Sequence, residues 1–537
     1  MTNSHLTRVA RRTVFTPQTE SMRGDQVQNS AGGFAWAVDN WTHLRRFLIL
    51  GSAGGTFYIG EADLTKQGLD TIKACLAEDG LKTVAEIATI SEGGRAAKND
   101  YAIFALSCAV AFGDDKTKAY ALNALGTVCR IGTHLFQFVN YLEAFGCLTG
   151  RAKRRALAAW YTSKNPDALA YQVIKYRNRE GWTHRDILRV SHPGSISEVS
   201  DVHASIFSWI AGRDDLEVIL PEIINGFELL QNATKANEAA ELIAKYGLPR
   251  EAVPTELLKS PEVWDALLHS GNHGMPITAM IRNLGNMTRI GLLTSQSDAT
   301  AYVVQALKND EAIANSRIHP LNVLFALKTY QSGHGFRGTN TWSPVSKIVD
   351  ALDGAFYKAF GNVEPTGKRT LLALDVSGSM TQPCGSTGIS CYEGVAAMAL
   401  VTEAVEDRTE IMAFSSGFVP LDISSRQRMD DVFRVMRGMP FQRTDCSVPM
   451  LYAMKNGLEF DAFIIYTDNE TWSGNIHPAQ ALAEYRKKFV SDAKLVTVGM
   501  TSGGFSIADP KDPGMLDVVG FDTAAPNIIS EFVSGRI

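Results

Sequence analysis

The spacing of hydrophobic residues divides the chain into two parts. From about Trp36 to about Phe360, apolar residues recur at helical intervals, as in the segment 101–112, and strand-like alternation is scarce. Short breaks that contain glycine, proline or polar residues, such as 113–115 and 192–194, divide this part into helices of ordinary length. Because consecutive helix pairs can stack to bury a continuous core, the pattern predicts a helical solenoid, although no clean repeat period is visible.

The pattern changes after a polar linker at 361–369. Beyond it, short apolar runs alternate with helical segments. The apolar runs are 370–374, 411–414, 462–466 and 495–498. Such runs are typical of parallel strands that helices bury on both faces. The sequence therefore predicts an α/β doubly wound domain at 366–537, preceded by an α-helical repeat domain at 29–365 and a flexible N-terminal lead at 1–28.

The composition limits the classes of function. Charged residues make up 20% of the chain and the formal net charge is -5, so a nucleic-acid site would have to be a local basic patch. The seven cysteines contain no C-x-x-C pair, which argues against a disulfide framework and a zinc finger and favours the reducing cytoplasm. No stretch approaches the roughly 20 apolar residues of a membrane-spanning helix, so we expect no membrane partner.

A local basic patch lies between Arg151 and His192, where ten basic residues face three acidic ones. Aromatic residues are interleaved with the charges. They are Trp160, Tyr161, Tyr171, Tyr176 and Trp182. Positive charge neutralises phosphates and aromatic rings stack on bases, so the segment suits a nucleic acid. Alternatively, the charges are solvated helix faces and the aromatic residues are core. Taken singly the rings favour the core, whereas the charge excess is larger than solubility requires.

A second constellation of polar residues lies at the ends of the predicted strands. Asp375, Ser377 and Ser379 follow the first strand directly, Asp468 follows the strand 462–466, and a polar loop carries Thr444. In doubly wound folds, such loops meet at the carboxyl edge of the sheet. Carboxylate and hydroxyl oxygens are hard ligands that suit Mg²⁺. The alternative, that Asp375 and Ser377 only cap the next helix, explains one loop and not the others.

The D-x-S-x-S loop with a later threonine and a later aspartate resembles the metal-ion-dependent adhesion site of von Willebrand factor A domains. This resemblance implies a set of metal ligands, with an open position that a partner's carboxylate or water can fill. The implied ligands are Asp375, Ser377, Ser379, Thr444 and Asp468. The implied cofactor is a divalent cation, and we expect Mg²⁺.

Several segments of the helical part resemble the TROVE module of telomerase-associated, Ro and vault proteins. The central segment, 175–192, reads KYRNREGWTHRDILRVSH. The other matching segments are 44–48, 54–58, 93–97, 275–285, 317–320 and 333–338. With an A domain directly behind the module, nearly the whole chain resembles the Ro ribonucleoprotein autoantigen family, and the segment 466–472 is most similar to bacterial Ro orthologues.

The resemblance implies that HEAT-like repeats form a solenoid closed into a toroid, which the A domain helps to complete. It implies that small noncoding Y-type RNAs bind a basic outer surface and that single-stranded 3′ ends of misfolded or immature RNAs enter a central cavity. It further implies a cytoplasmic role in RNA quality control, maturation or decay. In bacterial relatives the partner is a 3′-to-5′ exoribonuclease such as polynucleotide phosphorylase. We expect a monomer.

The same resemblance supplies candidate RNA-binding residues. For the outer surface they are Lys175, Arg177, Arg179, His184, Arg185 and Arg189. Weaker candidates for the ring lining are Arg95, Lys98, Arg130, His134, Arg282, Arg289 and Arg337. For each weaker candidate, a hydrogen bond at a helix end is at least as good an explanation.

Two other classes of function stay open. A Mg²⁺ site beside an RNA-binding domain suggests a metal-dependent nuclease. However, the candidate ligands account for one ion, and the sequence contains neither a second carboxylate cluster nor an H-E-x-x-H motif. We therefore expect that the protein is not an enzyme. A metal-dependent protein-docking module without RNA would require the basic patch to be incidental.

Overall fold

A long series of helices precedes a six-stranded sheet in the computed structural model. The structure describes residues 15–29, 32–37, 39–50, 61–93, 99–193, 199–213, 220–270, 274–335, 339–384, 389–414, 417–424, 426–437, 444–468, 471–500, 505–519 and 525–535. Within these ranges, no helix has both the length and the apolar character needed to cross a bilayer.

The helical part runs from α1 to α18. Its helices are α1 (Asn40–Leu50), α2 (Glu61–Glu92), α3 (Asp100–Phe112), α4 (Asp115–Asn123), α5 (Leu125–Val128), α6 (Gly132–Ala144), α7 (Arg151–Thr162), α8 (Pro166–Lys175), α9 (His184–Ser191), α10 (Asp201–Ala211), α11 (Glu222–Asn232), α12 (Ala236–Tyr246), α13 (Pro261–His269), α14 (Ile277–Arg289), α15 (Asp298–Lys308), α16 (Asp310–Ser316), α17 (Pro320–Ser332) and α18 (Ser346–Lys358). Short 3₁₀ turns occur at Arg250–Ala252, Leu257–Lys259 and Ala359–Asn362. A two-stranded hairpin, β3 (Asn178–Arg179) with β4 (Trp182–Thr183), leads into α9.

Local sequence signals account for many of these helix ends. The break at 113–115 contains Asp114, whose carboxylate accepts a hydrogen bond from the Thr117 N–H and caps α4. Helix α8 begins with Pro166 behind the cap residue Asn165, the position where a missing N–H costs nothing. The predicted helical character of this part of the chain is confirmed.

The helices pack in chain order and the contacts return to the start of the series. Helix α1 packs on α2, α2 on α3 and, further along, α12 on α13 and α17 on α18. The 3₁₀ turn Ala359–Asn362 then contacts α19 (Cys391–Val405) of the C-terminal domain, and α1 contacts that domain's strand β11 (Met515–Val519). A continuous apolar core joins the two parts, with Leu106, Trp264 and Leu374 among its buried members.

The C-terminal domain is doubly wound, as the alternating pattern predicted. Its sheet contains β5 (Thr370–Asp375), β6 (Thr409–Phe414), β7 (Phe418–Pro420), β8 (Ala462–Thr467), β9 (Lys494–Gly499) and β11, in the order β11-β9-β8-β5-β6-β7. The pairings are parallel except at the edge strand β7. The helices are α19, α20 (Met429–Arg437), α21 (Val448–Asn456), α22 (Pro478–Lys488) and α23 (Ala525–Ser534). Leu371 and Leu372 lie in two different cores because successive strand residues face opposite sides of the sheet.

The N-terminal segment from residue 15 to residue 37 packs on the C-terminal domain. Strand β1 (Gln26–Gln28) pairs with β2 (Phe34–Ala37), which pairs in turn with β10 (Phe505–Ser506). The Arg23 guanidinium donates to both carboxylate oxygens of Asp509, at 2.7 and 2.8 Å. Where we expected a flexible lead, Gln26–Gln28 therefore form a strand, and residues before it bond to the C-terminal domain through Gln18 and Arg23. Strand β10 lies more than 400 residues away from β2, so local sequence carries no sign of that pairing.

Candidate nucleic-acid interface and metal centre

A cleft between α9 and α10 collects three guanidinium groups, those of Arg185, Arg189 and Arg213. Its volume is about 470 Å³, and Leu188 and Phe207 contribute apolar surface. Within the described ranges, no acidic side chain lines this basic cleft and its three arginines form no ion pair. The cleft therefore favours a ligand that carries negative charge.

The period of α9 explains why its two arginines reach this cleft. The helix begins after a capping box in which Thr183 and Asp186 satisfy each other's backbone N–H groups. Its buried residues are His184, Ile187 and Ser191. Arg185 and Arg189, four residues apart, are exposed and share the opposite face.

His184 lies in the core, so the expectation that it contacts RNA is wrong. Its side chain is 4% exposed, its Nδ1 lies 2.8 Å from the Tyr161 hydroxyl, and its Nε2 lies 2.8 Å from the Tyr176 carbonyl oxygen. Burial lowers the pKa of His184 to about 4, so the ring is neutral at pH 7. Of the two histidines in the basic patch, His192 is the exposed one. It ends α9 in a left-handed conformation and lines the basic cleft.

The three basic residues before the hairpin turn differ in how firmly they are held. The Lys175 ammonium donates to the Tyr171 hydroxyl at 3.2 Å and lies over that ring. The exposed Arg177 guanidinium lies 4.8 Å from the ring centre of Phe227. Arg179, also exposed, is paired with Glu180 at 3.2 Å. The pair leaves little net charge at Arg179, whereas Arg177 keeps its own.

Some aromatic residues of the basic patch lie in the core, as we expected for aromatic side chains taken singly. Trp160 and Tyr161 are buried, and the Trp160 indole N–H donates to the Cys129 carbonyl. Lys164 lies over the Trp160 ring and donates to its carbonyl, and burial lowers the pKa of Lys164 to about 8. These residues stabilise the helix packing. Tyr171 is 37% exposed and remains available to a ligand.

Three of the weaker candidates, Arg95, Lys98 and Arg337, lie outside the described residues. Arg130 donates to the Ser91 carbonyl at 3.0 Å and the Thr127 carbonyl at 2.9 Å, which ties together two helix ends. His134 lies 3.3 Å from the Asn99 amide, and burial lowers its pKa to about 4. Arg289 donates to Asn286 on its own helix. Arg130 and His134 thus act as structural links.

Arg282 has a different environment, because it lines a cavity of about 480 Å³ between α14 and α17. Trp342 forms one wall: its ring packs on the backbone at Gly285, and its indole N–H donates to the Tyr330 carbonyl at 2.8 Å. The amide side chains at the cavity are Asn286, Asn322 and Asn340. Among the described lining residues there is one cation and no acid.

The candidate metal ligands meet at the carboxyl edge of the sheet. Strands β5 and β8 are neighbours, with Leu374 in register with Tyr466. Asp375 therefore ends one strand beside Thr467, and Asp468 follows at once on the other. Both carboxylates are buried.

Hydrogen bonds hold the first of these carboxylates in place. Asp375 Oδ1 accepts from the Ser377 N–H at 2.8 Å, and its Oδ2 accepts from the Thr467 hydroxyl at 2.7 Å. The hydroxyls of Ser377 and Ser379 lie 3.1 Å apart. Burial and the nearby negative charge of Asp468 raise the pKa of Asp375 above its ordinary value.

The loop that carries the fifth candidate, Thr444, is tied to the loop after Asp468. The Thr444 carbonyl accepts from the backbone N–H groups of Trp472 and Ser473, at 3.2 and 3.0 Å. The Thr444 side chain is buried at the same edge. All five candidates thus lie at the carboxyl edge of the sheet: Asp375 ends β5, and the other four lie in the segments that connect the strands.

This donor set fits a hard divalent cation. Two buried carboxylates that repel each other are stabilised by a cation, and the adjacent hydroxyls are ligands of the same hard character. In the described part of the chain, no group of three or more acidic, histidine or cysteine side chains could hold a metal. A bound ion would therefore need the hydroxyl groups and water to complete its shell.

Sequence reasoning missed three residues of these sites. Arg213 completes the basic cleft but lies beyond the patch, after a left-handed Gly212 that ends α10. Thr467 holds Asp375, and its position at the end of β8 was a usable signal. Gln18, in the N-terminal segment, bonds to the loops at 444–447 and 471–476 beside the candidate ligands, and no local pattern marks it.

Known families match nearly the whole chain. The TROVE domain matches residues 27–217 and 247–368, and the Ro60 vWA domain matches residues 369–533. The RNA-binding protein RO60 of Deinococcus radiodurans is 38% identical, over 97% of this chain and 98% of its own length. The RNA-binding protein RO60 of Caenorhabditis elegans is 36% identical, over 97% and 92%.

A solved structure has the same fold. The RO (RSR) protein of Deinococcus radiodurans superposes with a TM-score of 0.75 at 37% sequence identity, covering 93% of this chain and all of that one. The resemblance inferred from the sequence motifs is thereby confirmed.

Proposed function

The chain belongs to the Ro60 family of TROVE-domain proteins, and from this premise we propose that its basic cleft binds the RNA backbone. The main evidence is that three guanidinium groups line the cleft, those of Arg185, Arg189 and Arg213. The described residues that line it include no acidic side chain. Guanidinium groups pair with phosphate oxygens in a bidentate geometry. The names of the relatives, which are RNA-binding proteins, support the same conclusion.

The RNA of this cleft is a small structured noncoding RNA of the Y type. We include Lys175 and Arg177 in the RNA-binding surface because they carry positive charge and lie just before the hairpin that leads into α9. A surface that offers charge but few exposed aromatic rings suits a paired backbone more than unstacked bases.

A second mode takes single-stranded 3′ ends of misfolded or immature RNAs, which enter the centre of a closed ring. Support comes from the contacts that return from the C-terminal domain to α1. Further support comes from the cavity beside Arg282, where one cation can meet a phosphate, and amides and an aromatic wall can meet a base.

The biological role that follows is RNA quality control, maturation or decay in the cytoplasm. All seven cysteines are free thiols, which agrees with a reducing compartment. The protein acts as a monomer, with a 3′-to-5′ exoribonuclease such as polynucleotide phosphorylase as its partner.

The C-terminal domain binds Mg²⁺ at its sheet edge, through Asp375, Ser377, Ser379, Thr444 and Asp468. The ion supplies a position where a partner's carboxylate or a water can bind. The protein's own contribution is to hold two carboxylates and three hydroxyls at one edge, with Thr467 orienting Asp375.

RNA affinity and its salt dependence test the cleft. A triple variant, Arg185→Ala with Arg189→Ala and Arg213→Ala, should weaken binding of a hairpin RNA about a thousandfold and reduce the salt slope by about 2.7. The matched control removes Arg151, Arg154 and Arg155, three exposed arginines of α7. Equal losses in both triple variants would mean diffuse charge attraction and would reject the cleft.

The enzyme alternative has its own test. If the protein binds RNA without cleaving it, a bound 3′-tailed RNA keeps its length when Mg²⁺ is added. Shortening by wild type but not by Asp468→Asn would instead establish a metal-dependent nuclease. Failure of every RNA to bind at low salt would favour the docking module.

A further inference from the structure

Gln18 lies at the meeting point of the N-terminal segment and the metal-centre loops. Its side chain is fully buried, and its amide N–H₂ donates to Asp445 Oδ1 at 2.7 Å and to the Ile476 carbonyl at 3.1 Å. Its amide oxygen accepts from the Thr471 hydroxyl. One side chain thus bonds to the loop 444–447 and to the loop 471–476.

The loop 444–447 carries one candidate metal ligand, and the loop 471–476 follows another. Thr444 immediately precedes Asp445, and Asp468 lies three residues before Thr471. Asp445 also accepts from the Ser447 N–H at 2.9 Å and the Ser447 hydroxyl at 2.7 Å. The Thr471 hydroxyl accepts in turn from the Cys446 N–H at 3.2 Å. Gln18 therefore completes a buried network whose members are close to ligands on both sides.

The backbone around Gln18 is fixed as well. Its N–H donates to the Gly474 carbonyl at 3.0 Å, and its carbonyl accepts from the Phe34 N–H at 2.8 Å. The Asn29 amide donates to the Thr471 carbonyl at 2.7 Å. From Phe34 the chain continues through β2 towards α1, the first helix of the helical part.

We propose that Gln18 is a positioning residue of the metal centre and that the N-terminal segment 15–37 and the metal ion stabilise each other. This inference rests on the proposed Mg²⁺ site. Because Gln18 fixes the relative position of two ligand loops, its loss increases their freedom, which binding of the ion must then restrict. By linkage, an ion that binds better when the segment is docked also strengthens its docking by the same factor.

Mg²⁺ affinity, measured calorimetrically on the full chain, tests this proposal. Gln18→Ala should bind Mg²⁺ about tenfold more weakly than wild type, as expected for residues that orient metal ligands. Gln28→Ala is the matched control, since that exposed side chain bonds only to the nearby Gly32 carbonyl among the described residues. Equal affinity in all three proteins would overturn the role of Gln18 and leave the metal site standing. No binding to wild type would overturn both.

A measurement on unmodified protein covers the case in which Gln18→Ala does not fold. In wild type, Mg²⁺ should slow amide hydrogen exchange in residues 15–29 about as much as in the loop 471–476. The segment 236–246, helix α12, serves as an internal reference far along the chain. Slower exchange at the loop without any change at 15–29 would overturn the linkage.

Discussion

The basic cleft and the metal centre are assembled in opposite ways. The cleft takes its arginines from one stretch of about 30 residues, 185–213: Arg185 and Arg189 lie on α9, and Arg213 follows the end of α10. The proposed metal centre would take its oxygens from segments spread over residues 375–468, and Gln18 bonds to two neighbouring loops at 444–447 and 471–476. Yet the metal loops were the easier of the two to predict. In a parallel sheet all strands end at one edge, whereas a helix sends neighbouring residues to opposite faces.

The largest expected effect is a loss of stability at His184, which lies on the buried face of the helix whose arginines line the cleft. His184→Ala should lower the free energy of unfolding by about 3 kcal/mol, because it leaves a cavity and an unpartnered Tyr161 hydroxyl. Chemical denaturation measures this loss. RNA affinity of the folded variant should stay unchanged, and the exposed His269→Ala should be neutral in both assays.

The same residue predicts a pH dependence. The folded state holds His184 neutral with a pKa near 4, while the unfolded chain takes up a proton near the usual value of about 6.5. As the pH falls through this window, the unfolded state binds more protons, so stability declines by up to about 1.4 kcal/mol per pH unit from this group. His184→Ala should show a shallower decline than wild type. An equally steep decline would mean that His184 is not buried.

The next effect concerns the metal centre. Asp468→Asn should weaken Mg²⁺ binding at least about a hundredfold, since it removes one of two charged ligands, and should leave RNA affinity unchanged. Without Mg²⁺ the variant should unfold at a higher temperature than wild type, because Asp375 loses a like charge. The exposed Asp492→Asn is the control. A parallel loss of RNA affinity in Asp468→Asn would mean that the two regions form one site.

A smaller effect is expected at the cavity between α14 and α17. Arg282→Ala should weaken binding of a single-stranded oligonucleotide about tenfold, the value of one charge-assisted phosphate contact, and should spare a blunt hairpin. Lys308→Ala, an exposed basic residue of the neighbouring α15, controls for general charge. Fluorescence anisotropy with end-labelled RNAs distinguishes the two substrates. If the hairpin weakens as much as the single strand, the cavity has no separate role.

The smallest effect is expected at Arg179, which Glu180 already neutralises. Arg179→Ala should reduce hairpin affinity less than about threefold, while Arg177→Ala reduces it more, because Arg177 has no ion-pair partner in the described ranges. The hairpin affinities of both variants are measured in the same RNA titration. The reverse order would show that pairing with Glu180 does not persist when RNA binds.

Particular residues show where the sequence sufficed. The run 370–374 followed by Asp375 predicted a buried strand and an oxygen-rich loop, and the structure has both. Arg185 and Arg189 were named as RNA-binding candidates from the TROVE resemblance, but so was His184, because a matched segment does not show which helix face each residue occupies. His184 and the apolar Ile187 are three residues apart and therefore share one helix face. This spacing could have distinguished the buried His184 from the exposed arginines.

The remaining features depend on contacts that no local pattern encodes. Arg213 reaches the cleft because α10 packs on α9. Gln18 reaches the metal loops because β2 pairs with β10, more than 400 residues along the chain. The lead 1–28 was predicted to be flexible because it is polar and contains several arginines. The strand β1 (Gln26–Gln28) depends on pairing with β2, which pairs in turn with the distant strand β10.

The most direct measurement is to crosslink a bound hairpin RNA to the wild-type protein with ultraviolet light and map the modified peptides. If the cleft binds RNA, the adducts lie within 175–213 and disappear in the Arg185, Arg189 and Arg213 triple variant, with or without Mg²⁺. Adducts confined to the loops around Asp375 and Asp468 would contradict this account, because RNA would then bind the metal centre and the basic cleft would be incidental.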